Sequence, residues 1–520
     1  MRVTGLGHAS AYIETAYGSV LCDPWVSPAY FGSWYPFPDN SGLDWERFGA
    51  ADYLYVSHLH RDHYDPEHLK RWIDKGATVL LPEYPTDELY DALKAVGFTT
   101  FVRTVSGEVI DVDGLQVMIE ALTSPTDGPI GDSSLWLSDG QTTLLNQNDA
   151  RPTDLGRFAE LGHVDAHLLQ YSGAIWYPVV YELTDHAKQV FGEQKRARQF
   201  DRTLRYVDDL KASWVFPIAG PPCFLDPQLW QLNDIFDDPG NIFPDQRVFA
   251  EFMDERGRNN CRVLIPGSTA DLSLPECPVT HPVPQAEVDR IFDDKTEYLR
   301  EYQQRKLPAL EKEKAQWAQP GMDLFAELKP WLEQILSESE RIADGVGGPV
   351  RIVAADSERG DVDFVVDFVS REVRPFAGEK VRYRFTTERA LLEYLVKIGE
   401  IDWVNSLFLS CRFSAKRVGP YNEFVYVFFK CLSEERINYA EGWFAEQSTD
   451  DEDVTLDDWV VQRRCPHLKA DLSKFGTIGD GVLTCQMHGW KWDLDSGRCL
   501  TSKGPELRSR PLTEAEPTQN

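Results

Sequence analysis

Two short motifs near the carboxyl end of the chain pair cysteine with histidine. Cys465 and His467 form the first, and Cys485 and His488 form the second after a gap of seventeen residues. Two thiolates and two imidazoles can hold a [2Fe–2S] cluster, with the thiolates on one iron and the imidazoles on the other, or a tetrahedral zinc ion. Zinc fingers usually pair Cys with Cys and His with His, whereas each motif here is mixed. The pattern therefore favours a two-iron cluster that transfers single electrons.

A second group of metal ligands lies near the amino end. The segment Ser57-His-Leu-His-Arg-Asp-His63 contains three of the eleven histidines and one aspartate. In a loop that leaves a strand, His58 and His60 can point the same way and bind one metal ion, while Asp62 and His63 face a neighbouring position. A polar surface loop is the alternative, but it does not explain this density of ligands. We therefore expect a metal site here.

The segments around both motifs predict the elements that position them. Apolar strands separated by loops rich in Gly, Pro and Asp occupy residues 1–275, and the strand at 51–56 leads directly into the histidine loop. Two helical stretches follow, at 287–301 and 322–342, with Pro330 as an expected kink. Strand-like segments beside the cluster motifs predict two loops that face each other.

A different pattern begins near residue 345, where Gly345-Val-Gly-Gly-Pro349 predicts a linker. Apolar residues of period two at 362–368, a helix at 390–398 and a strand at 424–429 then predict an α+β unit. Its layout resembles that of sterol-carrier-like domains. The acidic segment 447–453 predicts a solvated linker to the cluster domain.

Composition narrows the range of functions. The 53 Lys and Arg against 84 Asp and Glu give a formal net charge of −31, which argues against nucleic acid and anionic membranes, since both bind clustered cations. No run of eighteen apolar residues marks a membrane span, and the first residues lack a signal-peptide pattern. Nine cysteines in 520 residues are too few for a disulfide scaffold, so we expect a cytoplasmic protein in a reducing environment.

The second cluster motif carries a resemblance to a known family. The string Cys485-Gln-Met-His-Gly-Trp-Lys-Trp-Asp-Leu-Asp-Ser-Gly-Arg-Cys499 closely resembles Rieske domains. Such domains hold a [2Fe–2S] cluster with two Cys and two His ligands. The resemblance therefore implies a Rieske-type cluster with four ligands: Cys465, His467, Cys485 and His488.

The amino-terminal part resembles another family. Its His-x-His-x-Asp-His segment is similar to the signature of the metallo-β-lactamase fold, and the segments 5–10 and 21–24 look like the opening strands of the lactonase-like branch. The resemblance implies a four-layer αββα fold over residues 1–275. By the same resemblance, His58, His60, Asp62 and His63 bind metal.

The metallo-β-lactamase resemblance implies further ligands. Asp149 closes a strand-like segment and fits the bridging aspartate of the fold. Where the family often has a histidine, Asp127 or Asp132 could substitute, with a turn aspartate as the alternative. The late segment 216–224 contains no histidine. A site with more carboxylates and fewer imidazoles is a harder ligand set, which favours one or two non-haem irons over zinc.

Roles within this site can also be expected. Asp62 and Asp149 are the expected catalytic residues among the ligands. His8 could lie near the metal, but we expect it to be a buried structural residue. Three other histidines are spare candidates of lower rank: His163, His167 and His186.

One family joins the two parts. The chain resembles CMP-N-acetylneuraminate hydroxylase and bacterial Rieske oxygenases of the metallo-β-lactamase fold, including N-oxygenases of nitroimidazole antibiotic biosynthesis. Beyond the metal motifs, the likeness covers segments 146–149, 171–173 and 219–223. The domain order differs, because the sialic-acid enzyme carries its cluster at the amino terminus. The resemblance implies monooxygenation of a small molecule by O2, with electrons from NAD(P)H through a ferredoxin or reductase.

The substrate is less constrained than the chemistry. The sequence shows no cationic cluster that would mark a nucleotide phosphate pocket, which favours N-oxygenation of a small nitrogen-containing substrate. A sugar-nucleotide hydroxylase like the sialic-acid enzyme is the alternative within the same class. Outside it, a zinc-dependent, lactonase-like hydrolase with a redox appendage and a non-catalytic electron carrier remain open.

Together these features predict the domain organisation. We expect an α/β metallo-β-lactamase-like catalytic domain at 1–275 and a helical connector at 276–344. An α+β sterol-carrier-like unit at 345–435 and a small all-β Rieske domain at 436–520 follow. A homo-oligomer is compatible with the sequence.

Overall fold

The computed structural model describes most of the chain. The described residues are 1–123, 131–152, 155–173, 175–236, 238–317, 321–419, 421–447, 452–466, 472–485, 490–500 and 506–512. They form a two-sheet sandwich, a helical connector, a five-stranded α+β unit and a small all-β unit. None of the helices in these residues is both long enough and apolar enough to cross a membrane.

Two β-sheets build the first unit. Its strands are β1 (Arg2–Gly7), β2 (Ser10–Thr15), β3 (Gly18–Cys22), β4 (Tyr53–Tyr55), β5 (Thr78–Leu81), β6 (Phe101–Arg103), β7 (Val109–Val112), β8 (Leu115–Ala121), β9 (Ser133–Ser138), β10 (Thr143–Asn148), β11 (Ala166–Gln170), β12 (Trp214–Ile218), β13 (Thr269–Asp271) and β14 (Val279–Thr280). One sheet has the order β14-β13-β1-β2-β3-β4-β5-β6 and the other β12-β11-β10-β9-β8-β7. Val20 of the first sheet lies in one buried apolar cluster with Val117 and Leu137 of the second, so the two sheets pack face to face.

Helices cover the outer face of each sheet. They are α1 (Trp45–Gly49), α2 (Pro66–Trp72), α3 (Glu88–Ala95), α4 (Gly156–Glu160), α5 (Asp185–Leu210) and α6 (Gln246–Glu255). Leu69 of α2 and Leu93 of α3 pack with Leu54 of the first sheet. Phe200 of α5 packs with Leu169 of the second. These four layers confirm the predicted αββα fold.

Parallel strands bring the metal motifs to one edge of the sandwich. Strands β3 to β6 are parallel to one another, and so are β10 to β12. Because parallel strands end on the same side of a sheet, their following loops are neighbours. Strand β4 leads into the histidine loop, β10 leads to Asp149, and β12 leads to Ala219.

The connector and the next helices differ from the sequence-based expectation. Helices α7 (Gln285–Asp293) and α8 (Lys295–Trp317) follow the sandwich. The single helical stretch predicted at 322–342 is two helices, α9 (Leu324–Glu338) and α10 (Arg341–Val346), because the chain turns extended at Ser339. The predicted linker at 345–349 is the end of α10, where Gly347 has a φ of 63° and a strand follows directly.

The α+β unit contains one mixed sheet and four further helical segments. Its strands are β15 (Pro349–Ala355), β16 (Val362–Asp367), β17 (Glu372–Pro375), β18 (Tyr383–Glu388) and β19 (Phe413–Arg417), in the order β17-β16-β15-β18-β19. Its helices are α11 (Arg389–Ile398), α12 (Glu423–Lys430) and α13 (Glu434–Gln447), with a π-helical turn at Val404–Phe408.

The strand predicted at 424–429 is wrong, because this segment forms α12. Asn422 caps the helix, its side chain accepting a hydrogen bond from the Phe424 N–H at 3.0 Å. Every residue from 425 to 430 is buried. A short apolar run that is buried all round has no polar face, so its sequence period cannot separate helix from strand.

The α+β unit is held against the sandwich by charged and backbone contacts. The buried Arg436 side chain of α13 pairs with Glu88 of α3 at 2.6 Å and with Asp402 at 2.8 Å. The backbone of residues 180–182 also pairs with Ala415 of β19, donating and accepting hydrogen bonds of 2.8 and 2.9 Å. The two units therefore share one continuous core.

The last unit is small and all-β apart from one short helix. Its elements are β20 (Asp453–Leu456), β21 (Trp459–Gln462), α14 (Leu472–Phe475), β22 (Gly476–Gly479), β23 (Val482–Cys485), β24 (Lys491–Asp493) and β25 (Ser509–Pro511), in sheets β20-β21-β25 and β22-β23-β24. Arg463 and Arg464 pair with Glu340, which precedes α10, at 3.5 and 3.2 Å. These contacts join the cluster unit to the α+β unit.

A glycine in α5 allows that helix to approach a loop closely. A Cβ atom at Gly192 would lie 1.9 Å from the carbonyl oxygen of Gly240. We expect Gly192→Ala to lower the free energy of unfolding by about 2 kcal/mol, because the overpacked helix must move away from a rigid backbone. Calorimetry of the full chain measures this. Gly42→Ala, whose Cβ meets nothing within 4 Å, should change stability by no more than about 0.5 kcal/mol; equal effects would contradict the argument.

Candidate metal centre

The histidine loop brings its imidazoles to one buried position. At its start, the Ser57 N–H donates a hydrogen bond to Asp23 Oδ1 at 2.7 Å. Further on, the His63 N–H donates to the His60 carbonyl oxygen at 3.0 Å and closes a turn. As a result, the ring centroid of His58 lies 4.3 Å from that of His60 and 4.2 Å from that of His63.

Carboxylates from three segments meet these imidazoles. His63 Nε2 lies 3.5 Å from Asp149 Oδ2 and 3.7 Å from Asp62 Oδ2, and His58 Nε2 lies 3.4 Å from Asp132 Oδ1. Ligand atoms within 4.8 Å of one another form three groups: His8, Asp62 and His63; His58, His60 and Asp132; His58, His63 and Asp149. The groups overlap at His58 and His63, an arrangement that one or two metal ions could occupy.

Two of the expected carboxylates lie near the histidines. Asp149, at the end of β10, faces His63 as expected of a bridging ligand. Of the two candidates for the position where the family often has histidine, Asp132 approaches His58. Asp127 lies outside the described residues.

His8 lies beside the metal ligands. It is buried, as expected from the sequence, and its Nε2 lies 2.8 Å from Asp62 Oδ2. His8 follows β1 with a left-handed φ of 53°, and its carbonyl oxygen accepts a hydrogen bond from the Ala219 N–H at 3.0 Å. The segment that follows β12, which contains no histidine, thus supports the site through a backbone hydrogen bond. The spare candidates lie elsewhere: His163 is exposed, and His167 Nε2 bonds to Gln147 Oε1 at 2.8 Å.

Buried ligand atoms without partners test whether a metal fits. Among the described residues, His58 Nε2, His63 Nε2 and Asp149 Oδ1 are buried and have no hydrogen-bond partner. An unsatisfied buried polar atom costs about 1–3 kcal/mol, and a cation between these atoms would satisfy them together. Burial, and then the imidazoles of His63 and His60, lower the pKa of His58 well below its ordinary value. The neutral ring that binds metal is therefore favoured. This nitrogen and oxygen set suits iron, and also zinc.

Asp23 holds the imidazoles from behind. Its Oδ2 accepts a hydrogen bond from Ser57 Oγ at 2.9 Å and lies 3.1 Å from His63 Nδ1, and the Asn148 side-chain amide also donates to it. The carboxylate is fully buried. A carboxylate behind a metal-binding imidazole sets the orientation and the tautomer of the ring.

Asp23→Asn should therefore weaken metal binding without removing a ligand. We expect the affinity of the site for iron to fall about 10–100-fold, the usual cost of changing such a supporting group. Competition with a chelator, followed by iron analysis, measures the loss. Asp52→Asn is the matched control, because Asp52 also accepts hydrogen bonds from a serine, Ser19, but away from the ligands. Equal losses in the two variants would contradict a supporting role for Asp23.

A cavity of about 660 Å³ opens over the ligands. His60 and Asp149 of the sandwich line it, and so do Asn405 and Tyr426 of the α+β unit. Trp176 of the sandwich stacks near Tyr426 with ring centroids 5.9 Å apart. The α+β unit, to which the sequence assigned no role, thus closes the space above the metal ligands.

One wall of this cavity is cationic. Lys195, Arg198 and Arg202 lie three and four residues apart on α5 and line the cavity together with Arg151, which follows β10. The expectation that the chain lacks a cationic cluster is therefore wrong. Lys195, Arg196 and Arg198 are close together in sequence, but only the packing of α5 and the β10 loop shows that Lys195, Arg198 and Arg202 share a cavity wall with Arg151.

The all-β unit buries both cysteines of the cluster motifs. Cys485 ends β23, and Cys465 follows β21 by three residues. Both lie in one apolar cluster with Leu483 and Trp492. The other two expected ligands, His467 and His488, lie outside the described residues, so the four-ligand set stays a prediction.

Comparison with known proteins assigns the last two units. A family model described as the Rieske [2Fe-2S] domain matches residues 449–511. Another, described as the "Rv3818-like, SCP2-like domain", matches residues 324–446. The second match supports the sterol-carrier-like resemblance of the α+β unit. It includes α9 and α10, which the sequence had assigned to the connector.

Whole-chain relatives show the family. A protein of Mycolicibacterium smegmatis named "Putative Rieske 2Fe-2S iron-sulfur protein" is 52% identical over 98% of this chain and 100% of its own length. A Mycobacterium tuberculosis protein with the same name and the suffix Rv3818 is 51% identical over 98% of this chain and 99% of its own length. The chain belongs to this family of Rieske iron–sulfur proteins. The predicted Rieske-type [2Fe–2S] cluster is thereby confirmed as a cofactor of the family's fold.

This Rieske protein also shares part of its length with hydroxylases. Cytidine monophosphate-N-acetylneuraminic acid hydroxylase of Xenopus laevis is 34% identical over 42% of this chain and 38% of its own, and that of Mus musculus is 26% identical over 42% and 39%. The expected resemblance to that enzyme is confirmed. It spans less than half of either protein.

Solved structures that are similar to this Rieske protein cover about half of its chain. Igni18, a metallo hydrolase from Ignicoccus hospitalis, is 17% identical with a TM-score of 0.36, covering 52% of this chain and 96% of its own. CmlA, a diiron β-hydroxylase from Streptomyces venezuelae, is 19% identical with a TM-score of 0.34, covering 51% and 53%.

Proposed function

We propose that the chain is a Rieske-type oxygenase. One observation carries the proposal: a single chain combines an electron-transfer domain with convergent nitrogen and oxygen ligands, largely buried, at the edge of a cavity. A Rieske cluster transfers single electrons and makes no bonds by itself. The sandwich site offers metal ligands but no source of electrons. The partial likeness to a hydroxylase supports joining the two.

We assign the sandwich site to one or two non-haem irons. The proposed ligands are His8, His58, His60, Asp62, His63, Asp132 and Asp149, with Asp127 as an untested candidate. When bound, such iron supplies the activation of O2. Four imidazoles and three carboxylates can bind iron or zinc, so the assignment to iron rests on the Rieske domain in the same chain.

The two expected catalytic aspartates have different surroundings. Asp62 is held on both oxygens, because the Tyr30 hydroxyl donates to Oδ1 at 2.5 Å and His8 Nε2 lies 2.8 Å from Oδ2. Its position is therefore fixed, as suits a ligand. Asp149 lines the cavity, and its buried Oδ1 has no hydrogen-bond partner among the described residues. We propose that Asp149 Oδ1 is the atom free to bind metal or accept a proton.

The walls of the cavity would protect the reaction from water. Trp176 and Tyr426 form a stacked aromatic pair in which the sandwich and the α+β unit meet. Tyr421 stacks on Tyr426 with centroids 5.2 Å apart and extends this wall. A closed, partly apolar site limits side reactions of reactive oxygen species. A ferredoxin or an NAD(P)H-dependent reductase as electron donor, and a homo-oligomer, stay predictions.

The substrate expectation changes with the structure. N-oxygenation of a small amine was preferred because no cationic cluster was visible, and that ground is removed by Lys195, Arg198 and Arg202. N-oxygenation itself stays an untested prediction. A cationic wall disfavours a positively charged amine.

Metal and oxygen analysis tests the proposed function. The chain, purified anaerobically with iron supplied, should contain two acid-labile sulfides and more than the two irons of its cluster. After stoichiometric reduction and removal of the reductant, it should take up O2. Zinc alone in the sandwich site of active protein, together with no O2 uptake and anaerobic turnover of an ester or lactone, would instead establish the hydrolase alternative.

A further inference from the structure

We propose that the cationic wall of the cavity binds a phosphate or diphosphate group of the substrate. The wall consists of Lys195, Arg198, Arg202 and Arg151. That the bound molecule is the one oxygenated rests on the proposed function. The binding of the anion does not, because it requires neither the cluster nor a redox step.

Local structure aims these cations into the cavity. On α5, the spacing of 195, 198 and 202 puts the three side chains on one helix face. Arg151 is positioned by a hydrogen bond of 2.9 Å from its Nη2 to Gln170 Oε1. Gly173 leaves room for it, since a Cβ atom there would lie 2.5 Å from the same Nη2. Because Gly173 has no Cβ atom, the Arg151 guanidinium has space at this position.

The four cations of the wall have no carboxylate partner at ion-pair distance among the described residues. By contrast, Arg196, next to Lys195, lies 3.9 Å from Asp234. Burial, and then the charges of Arg151, Arg198 and Arg202, lower the pKa of Lys195 to about 7. Burial and Arg151 likewise lower the pKa of Arg202 to about 10. Uncompensated like charges destabilise the fold, and an anionic ligand would remove that cost.

The contrast with the rest of the chain strengthens the inference. The chain carries a formal net charge of −31, yet this cavity wall concentrates positive charge. A positive cleft in a low-dielectric wall raises the local concentration of anions. The cluster is therefore not a consequence of a generally basic surface.

The number and type of cations indicate the class of anion. Three guanidinium groups offer paired donors that match phosphate oxygens, and the Lys195 ammonium adds a point charge. A single carboxylate would neutralise only one of the four, whereas a diphosphate could neutralise most of them. The buried Gln199 Oε1 on the same helix face has no partner among the described residues and can accept a hydroxyl donor of the ligand.

The position of the wall places the rest of the substrate. Arg151 follows the proposed metal ligand Asp149 by two residues, and both line the cavity with Arg202, so the anion would lie near the metal ligands. From there the cavity extends to Tyr421 and Tyr426 in the α+β unit, where a planar or apolar group could stack. A volume of about 660 Å³ is in the range of drug-sized or nucleotide-sized ligands.

Calorimetric titration of the full holoprotein with inorganic pyrophosphate tests the proposal. We expect binding at pH 7.5 that is weakened about tenfold or more by Lys195→Gln and by Arg202→Gln, since each removes a charge-assisted contact. The matched control is Arg205→Gln, an exposed arginine of α5 that lies outside the cavity lining; it should bind like the wild type. Malonate, a dicarboxylate, should bind more weakly than pyrophosphate.

Proton uptake gives a second readout. Because Arg151, Arg198 and Arg202 face Lys195 and lower its pKa to about 7, an added anion should raise that pKa. The Lys195 amine should then take up a proton, seen as a binding heat that depends on the buffer. Lys195→Gln should remove this dependence.

Three results would overturn the proposal. They are no pyrophosphate binding at millimolar concentration, binding unchanged in both cavity variants, and tighter binding of malonate than of pyrophosphate. Iron content and O2 uptake measured on the same samples separate this outcome from failure of the proposed function. A chain that binds pyrophosphate through Lys195 yet takes up no O2 would retain the anion site and lose the oxygenase assignment.

Discussion

Replacing His63 with alanine is expected to remove the sandwich iron and to lower O2 uptake by the reduced chain at least about 100-fold. Substitution of a residue that only supports a metal ligand already lowers metal affinity or activity by up to about 100-fold, so loss of a ligand should cost at least as much. His63 belongs to two of the three ligand groups, and its Nε2 lies between Asp62 and Asp149. Its loss would leave two carboxylates close together with no imidazole between them. Acid-labile sulfide should be unchanged, because the cluster lies in another unit.

His167→Ala is the matched control for this substitution. His167 is a buried histidine of the same sandwich, but its Nε2 bonds to Gln147 rather than to a member of the ligand groups. This variant should keep its extra iron and its O2 uptake, even if its stability falls. Retention of full iron and O2 uptake by His63→Ala would show that the histidine loop does not hold the reactive metal.

Replacing Cys485 with serine is expected to have an effect of similar size through the other centre. Cys485 is buried at the end of β23, in the motif that resembles a Rieske cluster site. Its loss should remove two irons and both labile sulfides. Electrons from a ferredoxin or reductase would then no longer reach the sandwich site, so O2 uptake should fall to background while the sandwich iron stays bound.

A neighbouring cysteine controls for damage to the small all-β unit. Cys499 is buried in the same apolar cluster but lies outside the paired motifs. Cys499→Ser should keep the cluster absorbance and the labile sulfide. If Cys485→Ser kept its cluster as well, the assignment of that thiolate as a ligand would be wrong.

The histidine loop was predictable because its ligands are neighbours in sequence and follow a recognisable apolar strand. The strands themselves were predictable where apolar residues alternate or form short runs between turn residues, as at β4, β9 and β16. Local patterns of this kind are decided within a few residues. Long-range contacts do not contribute to them.

His8 shows what a local pattern omits. It approaches Asp62 from 54 positions away in the chain; segment 5–10 resembles an opening strand of the fold, but no ligand motif marks His8 itself. The cationic wall was missed although Lys195, Arg196 and Arg198 are close together in sequence, because the sequence does not show that α5 lines a cavity together with Arg151. Only the packing of β10 and α5 onto one sheet edge brings them together.

The strand predicted at 424–429 was wrong for another reason. Its residues are apolar throughout and those from 425 onward are buried, because α12 packs between the sheet of the α+β unit and its neighbouring helices. Without a polar face, neither a period of two nor one of 3.6 is visible. The α+β unit lines the cavity because α13 docks onto α3, and this long-range contact is not visible in the sequence.

The account depends on electrons passing from the Rieske cluster to metal bound by the sandwich. Rapid freeze-quench EPR of the fully reduced, desalted chain after mixing with O2 measures this transfer through the decay of the reduced-cluster signal. The account predicts rapid decay in the wild type and in His167→Ala, and slow decay in His63→Ala, which has lost the electron acceptor. Decay at the same rate in all three would mean that the cluster is oxidised without the sandwich site, and the account would be contradicted.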